Sequence, residues 1–181
     1  WQKKEETGIY FIDATTIKVC HIKRASSHKV FNGLAKKSKS TMGWYFGFKL
    51  HIVINDKGEL MAFKLTHATT DDRVPVEQMT NGLEGKLIGD KGYISQKLFD
   101  KLYEKGLKLI TKIKKNMQNK LVQITDKILL RKRAIIETVN DQLKNISQIE
   151  HSRHRSTANF MVNLVAGLVA YSLKPKKPSL N

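Results

Sequence analysis

Ile9-Tyr10-Phe11-Ile12-Asp13 is the stretch on which the fold turns: four apolar, β-favouring residues in a row, closed by a carboxylate. A short apolar run of this kind reads as a buried strand, and here it ends on an acid. The same arrangement returns at Lys86-Leu87-Ile88-Gly89-Asp90. In open α/β sheets the carboxyl ends of the strands line the crevice where ligands bind. Neighbouring strands lie about 4.8 Å apart, so Asp13 and Asp90 are expected to share one site.

The rest of the chain supplies a frame for those two strands. Trp44 to Ile54 alternates, with Phe46, Phe48, Leu50, Ile52 and Ile54 on one face, which is the period of a half-buried strand. Asn55-Asp56-Lys57-Gly58 is a turn, and Leu60 to Leu65 returns as the second arm of a hairpin. Thr70-Asp71-Asp72 has the composition of a helix cap ahead of a helix around Pro75 to Asn81. Ser95 caps a helix to about Lys105, Gly106 stops it, and Leu107 to Ile113 is a further strand. One long helix is expected over Ile128 to Ile146 and a last one over Thr157 to Leu173, before a solvated tail. The order strand, hairpin, helix, strand, helix, strand, helices is that of a ribonuclease H-like domain, although periodicity alone does not select it over other mixed α/β folds. It predicts an α/β fold with a mixed five-stranded sheet and flanking helices. Residues 1–181 form a single domain on this reading, with 14–43 as a basic insert and 174–181 as a flexible tail.

Charge narrows the function. Lys and Arg outnumber Asp and Glu by 33 to 16 in 181 residues, a formal net charge of +17. A surplus of that size sits on the surface and attracts polyanions, of which nucleic acid is the commonest. Cys20 is alone, so no intrachain disulfide forms, and no paired Cys or His spacing suggests a zinc site. The apolar stretch Phe160 to Leu173 is too short to span a bilayer and reads as a buried helix. No membrane association is expected, and the cytoplasm is the default location.

A third acid completes a set. On a helix turning 100° per residue, Arg133, Glu137 and Lys144 fall within about 40° of one another, apart from the apolar face of Ile128, Ile135, Val139, Leu143 and Ile146. A lone Glu between cations is usually a surface ion pair of little consequence. Two strand-end acids, a helix acid and a basic background together are what metal-assisted phosphoryl transfer needs. A phosphodiester under attack gains charge on its attacking and leaving oxygens, and two divalent ions about 3.5–4 Å apart stabilise both. Mg²⁺ takes hard oxygen ligands, typically one or two carboxylates plus water and substrate phosphate. Asp13, Asp90 and Glu137 are therefore the candidate catalytic residues and metal ligands, with Asp13 bridging two Mg²⁺ or Mn²⁺ ions.

These blocks resemble bacterial insertion-sequence transposases of the DDE superfamily. Tyr10-Phe11-Ile12-Asp13 is similar to the block around the family's first catalytic Asp, and Asp90-Lys91-Gly92-Tyr93 to its D-K/R-G-Y/F block. Arg133, Glu137 and Lys144 match the R, E and K of the Y-R-E-K signature, whose leading Tyr falls on Leu130 here. His151-Ser152-Arg153-His154-Arg155-Ser156 and the helix after it resemble the end of one branch of these enzymes. The resemblance implies nicking at transposon ends, then attack of the freed 3′-OH on target DNA, with a homodimer on paired ends. It implies DNA contacts by Arg133 and Lys144, with Lys91 and Tyr93 flanking the second metal ligand. An N-terminal DNA-binding region, usual in the family, is expected to be missing from this chain. A non-catalytic DNA-binding remnant of a truncated element is the alternative.

Ala14 to Asn55 holds no acid, yet carries Lys23, Arg24, Lys36, Lys37 and Lys39 among its cations. Directly after the first metal-ligand candidate, these are expected to grip phosphate without reading sequence. Trp44, Tyr45 and Phe46 read either as core or as a surface for stacking a displaced base. His151, Arg153, His154 and Arg155 form a possible second phosphate edge.

Overall fold

The computed structural model describes residues 6–112, 123–150 and 154–180. Its centre is β1, Ile9–Cys20, which pairs antiparallel with β3, Gly43–Asn55, and parallel with β5, Gly85–Gly89. β6, Leu107–Thr111, adds in parallel outside β5. The far edge of β3 is shared by two strands end to end: β2, Lys36–Ser40, opposite residues 43–47, and β4, Leu60–His67, opposite residues 48–54. The sheet thus has six strands rather than the five expected from sequence. β2 escaped sequence reading because Lys36-Lys37-Ser38-Lys39-Ser40 has no apolar alternation. It is an edge strand whose largely exposed side chains give a period nothing to register.

Helices cover both faces, as the alternation of side chains along β1 requires. On one side Phe11 and Ile17 pack with Leu50, Ile52, Ile136 and Leu143. This side is closed by α4, Ala134–Asn145, and α5, Thr157–Leu173. On the other, Tyr10 and Ile12 pack with Leu87, Tyr93, Leu98 and Leu102, under α1, Val76–Met79, and α2, Gln96–Glu104. Ser95 caps α2 by accepting from the Leu98 N–H, and Ser156 caps α5 through the Asn159 N–H, both as the sequence indicates.

Several local expectations are corrected. β1 does not stop at Asp13 but runs on to Cys20, because antiparallel pairing with β3 continues after the parallel partner β5 has ended. The expected insert at 14–43 is consequently half strand, joined by a 3-10 turn at Ile22–Arg24. The single helix over Ile128 to Ile146 is two, α3 (Ile124–Lys132) and α4, meeting at Arg133. Ile128 and Ile146 are exposed, so the buried face of α4 is Ile135, Ile136, Val139 and Leu143. α3 is anchored by charge: buried Asp126 pairs with Lys86 of β5 at 2.7 Å and Lys108 of β6 at 2.8 Å. Asp71 makes a turn with Arg73 rather than capping α1, whose N-cap is Pro75. The tail is not free in solvent: the Leu180 N–H donates to the Asp56 carbonyl at 3.0 Å, and Lys132 Nζ to the Leu180 carbonyl. The expected end of the last strand, Ile113, lies outside the described residues. Among the described residues no helix is long and apolar enough to cross a membrane.

Where β1 crosses β3 the backbones approach closely at Gly47, where a Cβ would lie 2.0 Å from the Ile17 carbonyl oxygen. Gly47→Ala must therefore push two central strands apart, and is expected to destabilise the chain by about 2 kcal/mol. Denaturant unfolding of the two proteins checks this; unchanged stability would mean the crossing is looser than described.

Candidate active site

The sheet brings the first two acids together. β1 and β5 pair Ile9 with Lys86, Tyr10 with Leu87 and Phe11 with Ile88. Continued by two residues, this register sets Asp90 opposite Asp13, at the point where β5 ends. Asp13 shares the parity of Phe11 and Ile17, so its side chain leaves the sheet on the α4 side. Asp90 is held by its own turn: Oδ1 accepts from the Gly92 N–H at 2.7 Å. That turn folds Tyr93 back over Gly89, where an added Cβ would stand 3.0 Å from the Tyr93 ring and 3.3 Å from Ile12. Glycine before Asp90 is thus a packing requirement.

α4 supplies the rest. Glu137 lies in its first turn, where the helix dipole favours an anion. Arg133, at the α3–α4 break, pairs through Nη2 with Glu137 Oε1 and sets Nη1 3.7 Å from Asp13 Oδ1. Asn140, one turn beyond Glu137, donates from Nδ2 to Asp13 Oδ2 at 2.9 Å. Asp13 is mostly enclosed, whereas Glu137 has 58% of its side chain exposed. The site is therefore closed at the sheet and open at the helix.

Burial is the main cause of a raised Asp13 pKa, about 6. Arg133 and the Ala14 N–H pull it down, while the charges of Asp90 and Glu137 push it up again. Asp13 thus feels both other carboxylates, and the Arg133 guanidinium relieves that repulsion only in part. Among the described residues no group of three or more His, Cys, Asp or Glu side chains converges closely enough to hold a metal ion as it stands. A cation of the protein's own, Arg133, links Asp13 to Glu137.

Other predicted contacts divide. Lys91, directly after Asp90, is exposed, as are Lys23, Arg24, Lys36, Lys37 and Lys39. β2 pairs Lys39 with Trp44 and Lys37 with Phe46, so both lysines lie on the parity of Phe46, the face that also carries Asp13. Trp44 is 63% exposed, while Tyr45 and Phe46 are core, so only the tryptophan offers a stacking surface. Tyr93, expected beside DNA, is instead 1% exposed: it is the pillar under the Asp90 turn. Lys144 is engaged with Glu150 at 3.1 Å, and Glu150 also accepts from the Lys18 N–H, away from the three acids. Arg155 is exposed, His154 packs edge-on against Phe160, and His151 and Arg153 lie outside the described residues.

Sequence reading missed two neighbours of the site. Asn140 falls on the same helical stripe as Arg133, Glu137 and Lys144, and was legible by that spacing. Asp72, which looked like a cap, pairs with Lys49 at 2.8 Å, and its charge reaches Tyr93. Nothing in Thr70-Asp71-Asp72 distinguished it. His51, fully buried on the other face, bonds Thr66 Oγ1 at 2.8 Å, and burial lowers its pKa to about 4, so it is neutral.

Comparison with known proteins gives a family and a fold. The family model described as a transposase DDE domain matches residues 3–157. No curated protein matches the sequence. Among solved structures, the piggyBac transposase synaptic complex with hairpin DNA is similar with a TM-score of 0.57 at 9% identity, over 93% of this chain and 46% of that one. The chain therefore spans about half of that protein. The catalytic core of BIV integrase gives a TM-score of 0.46 at 10% identity, over 80% of this chain and 88% of that one. The simian T-cell lymphotropic virus intasome with PP2A regulatory subunit B56 gamma gives 0.41 at 13%, over 99% and 60%. The fold is ribonuclease H-like, with a mixed sheet between helices.

Because the folded pKa of Asp13 lies above the free value of 3.8, its ionisation opposes folding. Stability on this account is full below the free pKa and is lost as pH rises through about 6. Asp13→Asn, which removes that charge, is expected to raise the stability of the metal-free chain by about 2 kcal/mol near pH 8. The gain should shrink as pH falls and vanish well below pH 3.8, where Asp13 is protonated in both states. Chemical denaturation in chelator across this pH range measures it; a gain independent of pH would contradict the assignment.

Proposed function

The chain belongs to the transposase DDE-domain family, and from that premise we propose that it nicks phosphodiesters at transposon ends and joins the freed 3′-OH to target DNA. The observation that carries the reading is that Asp13 lies opposite Asp90 in the strand register, is linked to Glu137 through Arg133, and feels the charge of both. Their chemistry fits Mg²⁺ or Mn²⁺: the donors are all hard carboxylate oxygens, and the neighbouring histidine is neutral and faces the other side of the sheet. Two such ions, when bound, stabilise the attacking and leaving oxygens of an in-line displacement.

The chain's own residues do the remaining work. Asp13, enclosed and able to offer two oxygens, would hold such an ion together with Asp90 and Glu137. Asp90 is fixed by the Gly92 N–H, and Glu137 stands at the open side where substrate enters. Arg133, whose planar fork suits phosphate as well as carboxylate, is placed to take a DNA phosphate once a cation neutralises the acids. Lys91 borders the site. Lys37 and Lys39 extend the positive track along the face that carries Asp13, Lys23 and Arg24 add charge in the turn after β1 while Lys36 points to the other face, and Trp44 on the same ribbon stacks a base left unpaired near the cleavage point. Lys144 joins the phosphate contacts when Glu150 releases it. A homodimer would hold paired ends, and α5 provides a surface for it: the helix has no charged residue and exposes Met161, Val162, Val165, Val169 and Leu173.

A plasmid carrying the element's ends, incubated with Mg²⁺ or Mn²⁺, tests the proposal. Wild type should nick it and yield joined products, and Glu137→Gln should lower the rate about a thousandfold while leaving salt-sensitive DNA binding in place. Binding without nicking by the wild-type chain in either metal would favour the non-catalytic remnant. Undiminished nicking by Glu137→Gln would remove the helix acid from the mechanism.

A further inference from the structure

We propose that Asn140 is a positioning residue: it holds the Asp13 carboxylate in the orientation in which it grips the cation, and so sets metal affinity without binding DNA. The inference rests on the metal-dependent reading of Asp13, Asp90 and Glu137.

Asn140 is 8% exposed and sits on α4 among Ile136, Val139 and Leu143, three fully buried apolar side chains. Burying an amide in such surroundings is unfavourable unless it is hydrogen-bonded, so its retention needs a cause. Its Nδ2 meets Asp13 Oδ2 at 2.9 Å. An ionised carboxylate only accepts, so the amide must present its NH₂ group to Asp13 and turn its carbonyl elsewhere. That carbonyl, Oδ1, is buried and has no hydrogen-bond partner. Half of the amide is therefore satisfied by Asp13 and half is not.

The division of labour around Asp13 supports the same role. Its Oδ1 faces Arg133 Nη1 at 3.7 Å, beyond a hydrogen bond, while Oδ2 has the close contact to Asn140. Arg133 is a cation and competes with any metal for the carboxylates. Asn140 is neutral: it can fix the rotamer of Asp13 and remain in place when a divalent ion arrives. Partners of this kind orient metal ligands, and their removal typically costs 10–100-fold in affinity. The placement follows from helix geometry, since Arg133, Glu137 and Asn140 are spaced four and three residues apart and project from one face.

The test uses the full chain. Mn²⁺ affinity is measured by calorimetry, nicking is resolved into kcat and KM, and thermal stability is followed in chelator, for Asn140→Leu, Asn140→Ser and Asp13→Asn. Asn140→Leu matches the shape but cannot donate; it should bind Mn²⁺ 10–100-fold more weakly and lose kcat, with KM for DNA unchanged. Asn140→Ser keeps a donor and should recover part of the affinity. A purely structural asparagine would show the opposite pattern, lower metal-free stability with Mn²⁺ affinity intact, and that result overturns the proposal. Asp13→Asn separates the two layers. If it abolishes Mn²⁺ binding while Asn140→Leu does not alter it, only the role of Asn140 falls. If neither variant alters Mn²⁺ binding, the metal-dependent reading falls with it.

Discussion

The constraint on which this structure depends is the enclosure of one carboxylate. Asp13 stands on the central strand of the sheet, where desolvation disfavours its charge and two more acids add to the cost. A fold keeps such an arrangement only when something repays it. Within the chain, repayment is partial: a guanidinium at 3.7 Å and an amide at 2.9 Å. The unpaid remainder is a standing affinity for positive charge, directed at one point on the surface. In the proposed function, stability given up there becomes binding energy for a cation and, through it, for phosphate.

Helix α4 couples this site to the rest of the molecule. Its apolar face, Ile135, Ile136, Val139 and Leu143, packs on the sheet. Its polar stripe, Arg133, Glu137 and Asn140, is thereby delivered over Asp13. The break at Arg133 is part of the design, since it lets α3 lie along β5 and β6 under the Asp126 ion pairs while α4 takes its own direction across β1. Burial raises the pKa of Asp126, but the hydrogen bonds and charges of Lys108 and Lys86 outweigh that and hold it below the usual range. Here the chain supplies full compensation for a buried acid, and at Asp13 it does not.

Much of this was legible in the sequence, because the signals were periodic. The apolar runs before Asp13 and Asp90, the alternation of β3 and the serine caps of α2 and α5 all placed their elements, although β1 runs on past Asp13 to Cys20. What escaped notice had no period. β2 is a run of Lys and Ser on a sheet edge, and the α3–α4 break falls in a stretch with no Gly or Pro to mark it. Tyr93 reads as a site residue by its motif, and only the tertiary packing over Gly89 shows it to be a pillar. Of the candidate site, the order of elements pointed to the three acids. Their mutual distances were not, since these depend on strand register and on where α4 crosses the sheet.

The central claim is that folding gathers Asp13, Asp90 and Glu137 to receive divalent cations. An anomalous difference map from crystals grown with Mn²⁺ tests it most directly. The account predicts peaks within ligand distance, about 2.0–2.3 Å, of carboxylate oxygens from both strands and from α4, with Arg133 withdrawn from Asp13. Peaks confined to other acids, or none at saturating Mn²⁺, would contradict it.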